Sequence, residues 1–148
     1  MISPMKYRKA IINDVPQILR IIKINNPCYD KQLAHREITE MFSKSLCKPT
    51  YIVAVEKNAI IAFAGYNSSW LDNAVFNIFW VNVHPEHKRK GIGSLLIKYI
   101  INKIKDEKDV KAKMILLSTK TSSFYKLLGF RQISPKYDKE YVLMSLKI

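Results

Sequence analysis

Two rhythms of apolar and polar positions run along this chain, and the points where one replaces the other mark its elements. Tyr7 to Ile11 reads as a first strand, after which Asn13 or Asp14 offers a cap for a helix whose apolar face is Val15, Ile18, Leu19 and Ile22. Asn25-Asn26-Pro27 stops that helix. A second helix, from about Lys31 to Ser45, turns Ala34, Ile38, Met41 and Phe42 inward until Pro49 breaks the pattern. Tyr51 to Glu56 and Ile60 to Tyr66 are β-rich runs joined at Lys57-Asn58, the signature of a hairpin. The long apolar run from Ala74 to Val83 predicts a central strand covered on both faces.

The clearest helical period follows, with Ile92, Leu95, Leu96, Tyr99, Ile100 and Ile104 on one stripe. Lys108 to Lys113 is a polar connection, Met114 to Ser118 a strand, and Ser122 to Leu128 a short helix that Gly129 ends as a C-cap. Phe130 to Ile133 and Tyr141 to Ile148 then close the sheet as a hairpin. This order predicts an α/β fold, a mixed central sheet with helices on both faces.

Composition narrows the class. A chain of 148 residues with 48% hydrophobic content fits a single domain with a sizeable core, and no repeat or linker marks a boundary. Its apolar runs are too short to span a bilayer and Met1-Ile-Ser-Pro lacks the apolar core of a signal peptide, so the expected location is cytoplasmic, without a membrane partner. Cys28 and Cys47 have neither disulfide-framework nor metal-ligand spacing and read as free thiols; no metal is expected.

The charge needs more thought. Twenty-five Lys and Arg against 12 Asp and Glu leave a net charge of +13, which invites a nucleic-acid reading. The lysines are scattered, however, through Lys103, Lys105, Lys108, Lys111, Lys113, Lys136 and Lys139, and the aromatic residues sit mostly in apolar strand patterns. No nucleic-acid partner is expected. A basic excess suits a smaller polyanion equally well, and abundant Lys, Ile and Asn also follow from an AT-rich coding sequence.

Candidate chemistry concentrates between Trp80 and Leu96, where a strand, a basic glycine turn and the start of an amphipathic helix follow one another. Gly91 and Gly93 have no Cβ, so backbone can approach an anion there, and the helix that starts beside them aims unpaired N–H groups and its positive dipole end at the turn. Lys88, Arg89 and Lys90 add charge. A dinucleotide fingerprint would need a third glycine where Ser94, Leu95 and Leu96 stand, and a P-loop would need Gly-Lys-Ser/Thr closing the turn.

Lys88-Arg89-Lys90-Gly91-Ile92-Gly93, preceded by Val83-His84-Pro85, resembles the acetyl-CoA signature of the GNAT superfamily of N-acetyltransferases, with lysine in place of the usual first Arg or Gln. Phe124, Tyr125, Gly129 and Phe130 match a second element, F-Y-x-x-x-G-F. The opening Tyr7 to Ala10 and Asn13 to Ile18 are similar to that family's first strand and helix, so the resemblance spans roughly Met5 to Ile148, read as one N-acetyltransferase domain. It implies a mostly antiparallel sheet and an enzyme that passes an acetyl group from acetyl-CoA directly to an amine in a ternary complex. The alternative is a catalytically weak acyl-CoA-binding or regulatory module.

The same resemblance assigns roles. Val81, Asn82 and Val83 would lie on a strand that splays from Met114 to Ser118 and take the pantetheine arm, with the Val83 N–H facing the thioester carbonyl. Lys88, Arg89, Lys90, Gly91, Ile92, Gly93 and Ser94 would hold the phosphates. Tyr125 aligns with the tyrosine proposed as general acid toward the departing thiolate. The family's usual glutamate is replaced by Asn77, and the general base stays open among Glu140, Asp72, His84 and a water held by Asn77. Acceptor contacts are expected from Asn25 to Leu46 and Asn67 to Asn73, which hold Tyr29, Asp30, Glu37, Glu40, Trp70 and Asp72, with Tyr29, Trp70 and Asp72 as binding residues. Aromatic faces and carboxylates suit a small-molecule amine or a peptide N-terminus. The oligomeric reading leaves room for a homodimer.

Overall fold

A computed structural model describes residues 5–148; the opening Met1-Ile-Ser-Pro, read above for a leader, lies outside the described residues. In chain order the elements are β1 (Lys6–Lys9), α1 (Val15–Asn25), α2 (Lys31–Thr39), β2 (Thr50–Glu56), β3 (Ala59–Ser68), β4 (Val75–Val83), α3 (Ile92–Lys105), β5 (Met114–Thr119), α4 (Ser122–Lys126), β6 (Arg131–Gln132) and β7 (Val142–Lys147). They build one seven-stranded sheet in the order β1-β2-β3-β4-β5-β7-β6. Every pair is antiparallel except β4 with β5, which α3 joins as a crossover helix. The expected mixed, mostly antiparallel α/β architecture is therefore present.

Local chemistry explains most of the joints. Lys57 and Asn58 sit at φ 50° and 63°, the pair of left-handed residues that a two-residue hairpin with the correct twist requires. Gly129 at φ 96° ends α4, where the Phe130 N–H donates to the Tyr125 carbonyl at 3.1 Å and the Gly129 N–H to that of Lys126 at 3.0 Å. Asp14 does something other than cap α1. It accepts from the Ile11 N–H at 2.8 Å and from both arms of the Arg8 guanidinium at 2.6 and 3.1 Å. Burial pushes its carboxyl up, but Arg8 and the Ile11 N–H outweigh this and hold it below the ordinary range. Stability from that pair is present above the ordinary carboxylate pKa and is lost as the pH falls through the lowered value.

Two helices differ from the periodicity reading. α2 ends at Thr39, whose hydroxyl donates back to the His35 carbonyl at 2.7 Å, and a 3₁₀ turn over Glu40–Phe42 leaves Phe42 exposed rather than inward. On α3 the buried stripe is Ile92, Leu96, Ile97, Ile100, Ile101 and Ile104, with Leu95 half-exposed.

The sheet separates two apolar cores. α3 and α4 cover one face, where Leu96, Ile97, Ile100 and Ile104 meet Ile52, Ala62, Ala64 and Ile115. On the other face α1 and α2 bring Ile18, Ile21 and Ile38 against Tyr51, Val53 and Phe63. Gly65 lies under the Tyr51 and Phe79 rings, and a Cβ there would sit 2.6 Å from each. Gly65→Ala is therefore expected to destabilise the fold by about 1–3 kcal/mol through overpacking, read as a lower midpoint in urea with an unchanged slope.

Candidate active site

Register fixes the central feature of the site. β4 pairs with β5 only through Val75–Met114, Phe76–Ile115 and Asn77–Leu116, and the two strands part beyond Asn77. On the other side of β4, Gly65 faces Phe79 but Phe63 faces Asn82, so three steps on β4 oppose two on β3. This is a bulge, and Trp80 occupies it at φ 52°, a conformation that costs a bulky side chain of order 1–3 kcal/mol. Its ring is held in return. The indole N–H donates to Glu37 Oε2 at 2.5 Å, and the ring meets Tyr29 edge-on at 4.8 Å.

Past the bulge β4 has a free edge. The His84 N–H donates to the Ile61 carbonyl of β3 at 2.7 Å, so by the alternation of a strand the Val83 N–H points the opposite way, into the gap left by β5. From Phe79 to Val83 the strand is half-buried rather than covered on both faces, a further departure from the sequence reading. Asn25 and Asn26, at the end of α1, reach this edge. Asn25 Nδ2 donates to Asn82 Oδ1 and to the Val83 carbonyl, both at 3.0 Å, while its own Oδ1 is buried without a partner.

The glycine turn closes the gap at one end. Arg89 (φ 64°) and Gly91 (φ 77°) are both left-handed, a backbone path that turns successive N–H groups toward one concavity. The first α-helical bond of α3 runs from the Leu95 N–H to the Gly91 carbonyl at 3.1 Å, which leaves the N–H groups of Ile92, Gly93 and Ser94 free of the helix. Gly93 packs between Val83 and Phe124, each 3.6 Å from where its Cβ would lie.

These parts enclose a cleft of about 580 Å³ lined by Val81, Asn82, Val83, Lys88, Arg89, Gly91, Ile92, Gly93, Ser94 and Tyr125, all named from the sequence. Lys90 is exposed and does not line it. Asn25, Asn26, His87, Thr121 and Phe124 line it as well; from the sequence, Asn25 and Asn26 are named only as a helix stop and the start of the acceptor segment, Phe124 only as part of the F-Y element, and His87 and Thr121 have no role. Tyr125 is buried edge-on between Phe124 (4.9 Å) and Phe130 (5.7 Å), and burial pushes its phenol up to about 12.

A second cavity of about 470 Å³ opens beside Trp80 and is lined by Glu37, Glu40, Tyr51, Asn67, Trp70 and Phe79 among others. Trp70 stands at its mouth. Tyr29 lies behind Trp80, its hydroxyl donating to Glu37; burial first, then that carboxylate, pushes its phenol up to about 12. Asp72 is not part of this lining. It pairs with Lys113 at 2.7 Å and accepts from the Ala74 N–H at 2.9 Å, a turn-holding position; the Lys113 ammonium, first, and that N–H keep its carboxyl below the usual range.

Each residue weighed around the general base has a neighbour of its own. Asn77 donates to Asn67 Oδ1 at 3.1 Å, His84 Nδ1 accepts from the Glu86 N–H at 3.2 Å, and Glu140 faces Lys120 at 3.8 Å. Ser118 is hydrogen-bonded to the Tyr137 hydroxyl. No group of three His, Cys, Asp or Glu spaced for a metal ion occurs among the described residues, and none of the described helices is long and apolar enough to cross a membrane.

Comparison with known proteins agrees with this geometry. The acetyltransferase (GNAT) family model matches residues 18–130. Among solved structures, an acetyltransferase of the GNAT family from Staphylococcus aureus Mu50 is 16% identical, with a TM-score of 0.79 over 97% of this chain and 99% of that one. PaiA N-acetyltransferase from Thermoplasma acidophilum, solved in complex with coenzyme A, is 17% identical, with a TM-score of 0.70 over 98% and 99%. The ribosomal-protein-S18-alanine N-acetyltransferase from Escherichia coli is 14% identical, with a TM-score of 0.77 over 98% and 94%. At these identities the structures speak for a shared fold, and the family match covers most of the sequence: the chain belongs to the GNAT family of acetyltransferases.

Proposed function

We propose that the protein is an N-acetyltransferase that binds acetyl-CoA in the β4–β5 cleft and transfers the acetyl group directly to an amine held in the cavity beside Trp80. One observation carries the reading: a free strand edge, a left-handed glycine turn and a helix N-terminus converge on one cleft that also holds a buried tyrosine. The coenzyme's chemistry fits each part. Its phosphates match the freed N–H groups of Ile92 to Ser94 with Lys88 and Arg89, and its pantetheine amides match the open edge of Val81 to Val83.

In this mechanism the Val83 N–H donates to the thioester carbonyl as the amine attacks, where negative charge develops. Tyr125 serves the leaving group. A phenol at about 12 stays protonated at neutral pH, and full proton transfer to a thiolate whose thiol has a pKa near ~8.5 is uphill. Its part is therefore a donated hydrogen bond that stabilises the thiolate. The amine and peptide-N-terminus acceptor classes both rest on the aromatic and acidic lining around Glu37 and Trp70.

The test is acetyl-CoA offered with a panel of polyamines, amino acids, aminoglycosides and short peptides, followed by mass spectrometry of each amine. Acetylation of at least one class, together with matching release of free thiol, is expected. Tight acetyl-CoA binding with no acetylated product would leave a binding module in place of an enzyme.

A further inference from the structure

Glu37 holds a negative charge that the protein itself leaves unanswered. Its carboxylate is half-buried on α2 and accepts two hydrogen bonds, from the Tyr29 hydroxyl and from the Trp80 indole N–H at 2.5 Å, both neutral donors. A carboxylate has about four acceptor positions, so roughly two remain. The ion pairs among the described residues join Arg8 to Asp14, Lys113 to Asp72 and Lys120 to Glu140, and Glu37 enters none of them. In a chain with 25 Lys and Arg, this carboxylate faces a cavity lined by Trp80, Tyr51 and Trp70 with no cation against it.

Around the mouth of that cavity the surface changes character. Trp70, Leu71 and Leu46 are 78%, 88% and 86% exposed. Ser45 and Cys47, on either side of Leu46, line the same cavity, and Asn67 Nδ2 ties the two loops together by donating to the Cys47 carbonyl at 3.1 Å. An apolar rim around an acidic, aromatic floor asks for an occupant of two parts, a cationic nitrogen that goes in and apolar groups that stay out.

Resting on the acetyl-transfer reading above, we infer that the acceptor is the α-amino group of a peptide with apolar side chains at its first positions. It arrives protonated and seats on Glu37 while Leu46, Trp70 and Leu71 take those side chains, then gives its proton to water and attacks as the free amine, a sizeable fraction for a group with a pKa of about 8. A free polyamine fits less well. It would repeat its charges along the chain and place them against the apolar rim. Glu37 is thus a specificity-determining residue. The same clamp fixes Trp80, whose bulge aims Val81 and Val83 at the thioester, so the amine seat and the oxyanion donor share one side chain between them.

The experiment compares three acceptors with acetyl-CoA: the peptide Ala-Leu-Trp-Gly, its counterpart Ala-Ser-Asp-Gly, and spermidine. The expected kcat/KM is at least tenfold higher for the apolar peptide than for either other acceptor. Trp70→Ala, at an exposed position, should raise the KM of Ala-Leu-Trp-Gly about tenfold, several-fold more than that of Ala-Ser-Asp-Gly, and leave the affinity for acetyl-CoA unchanged. Glu37→Gln should raise the KM of both peptides at unchanged acetyl-CoA affinity, measured by calorimetry. Equal or better use of spermidine, or a Trp70→Ala enzyme with unaltered peptide preference, overturns the inference while acetyl transfer stands. Loss of acetyl-CoA binding by the unaltered protein would instead overturn the reading on which it rests.

Discussion

Acetyl-CoA at a hundredfold excess over its dissociation constant should raise the stability of this protein by roughly 2.7 kcal/mol, a shift of about 5–10 °C for a chain of this size, and Gly91→Asp should abolish it. Gly91 occupies the left-handed position at the head of α3, with no atom within 4 Å of where a Cβ would stand. An aspartate there meets no obstacle inside the protein. It costs the folded state only the strain of its φ, of order 1–2 kcal/mol, but sets a carboxylate where the phosphates are proposed to lie. Gly91→Ala separates the two effects: it carries the same backbone strain without the charge and should keep a measurable thermal shift. An equal shift in the Asp variant and the unaltered protein would place the coenzyme elsewhere.

The second large effect belongs to Tyr125. Phenylalanine keeps the edge-on contacts with Phe124 and Phe130 and the backbone cap at Gly129, so Tyr125→Phe should fold normally and bind acetyl-CoA within about twofold. Only the hydroxyl proposed to serve the leaving sulfur is lost, and kcat is expected to fall tenfold or more. Because burial holds the phenol near 12, deprotonation of Tyr125 should add no alkaline limb to the rate below about pH 10. An unchanged kcat in the Phe variant would reduce Tyr125 to packing.

Much of this site was readable from residues alone because its signals are local. Gly91 and Gly93 before an isoleucine-rich helix, and Phe124-Tyr125 before Gly129-Phe130, each announce their backbone shape within a few positions. What stayed hidden depends on distance along the chain or on phase. The isoleucines of α3 are so dense that period alone cannot centre the stripe, so Leu95 was placed inward while Ile97 and Ile101 took the core. The Ala74 to Val83 run looked uniformly buried because nothing local reports that β5 leaves it after Asn77, or that Trp80 bulges. Likewise Asn25 reaches across 57 positions to Asn82, and Glu37 across 43 to Trp80. Those contacts turn a helix-stop asparagine and one of several acidic residues into parts of the site, and only the fold brings them together.

The central claim is that the splayed β4 edge and the head of α3 together take the coenzyme. Amide hydrogen exchange followed by mass spectrometry, with and without acetyl-CoA, measures this without an acceptor. Protection should rise in the segments holding Val81–Val83 and Ile92–Ser94, while the loop around Leu46 and the turn at Trp70 should stay as exchange-prone as before. Protection centred on that loop and turn, or none along β4 and α3, would contradict the claim.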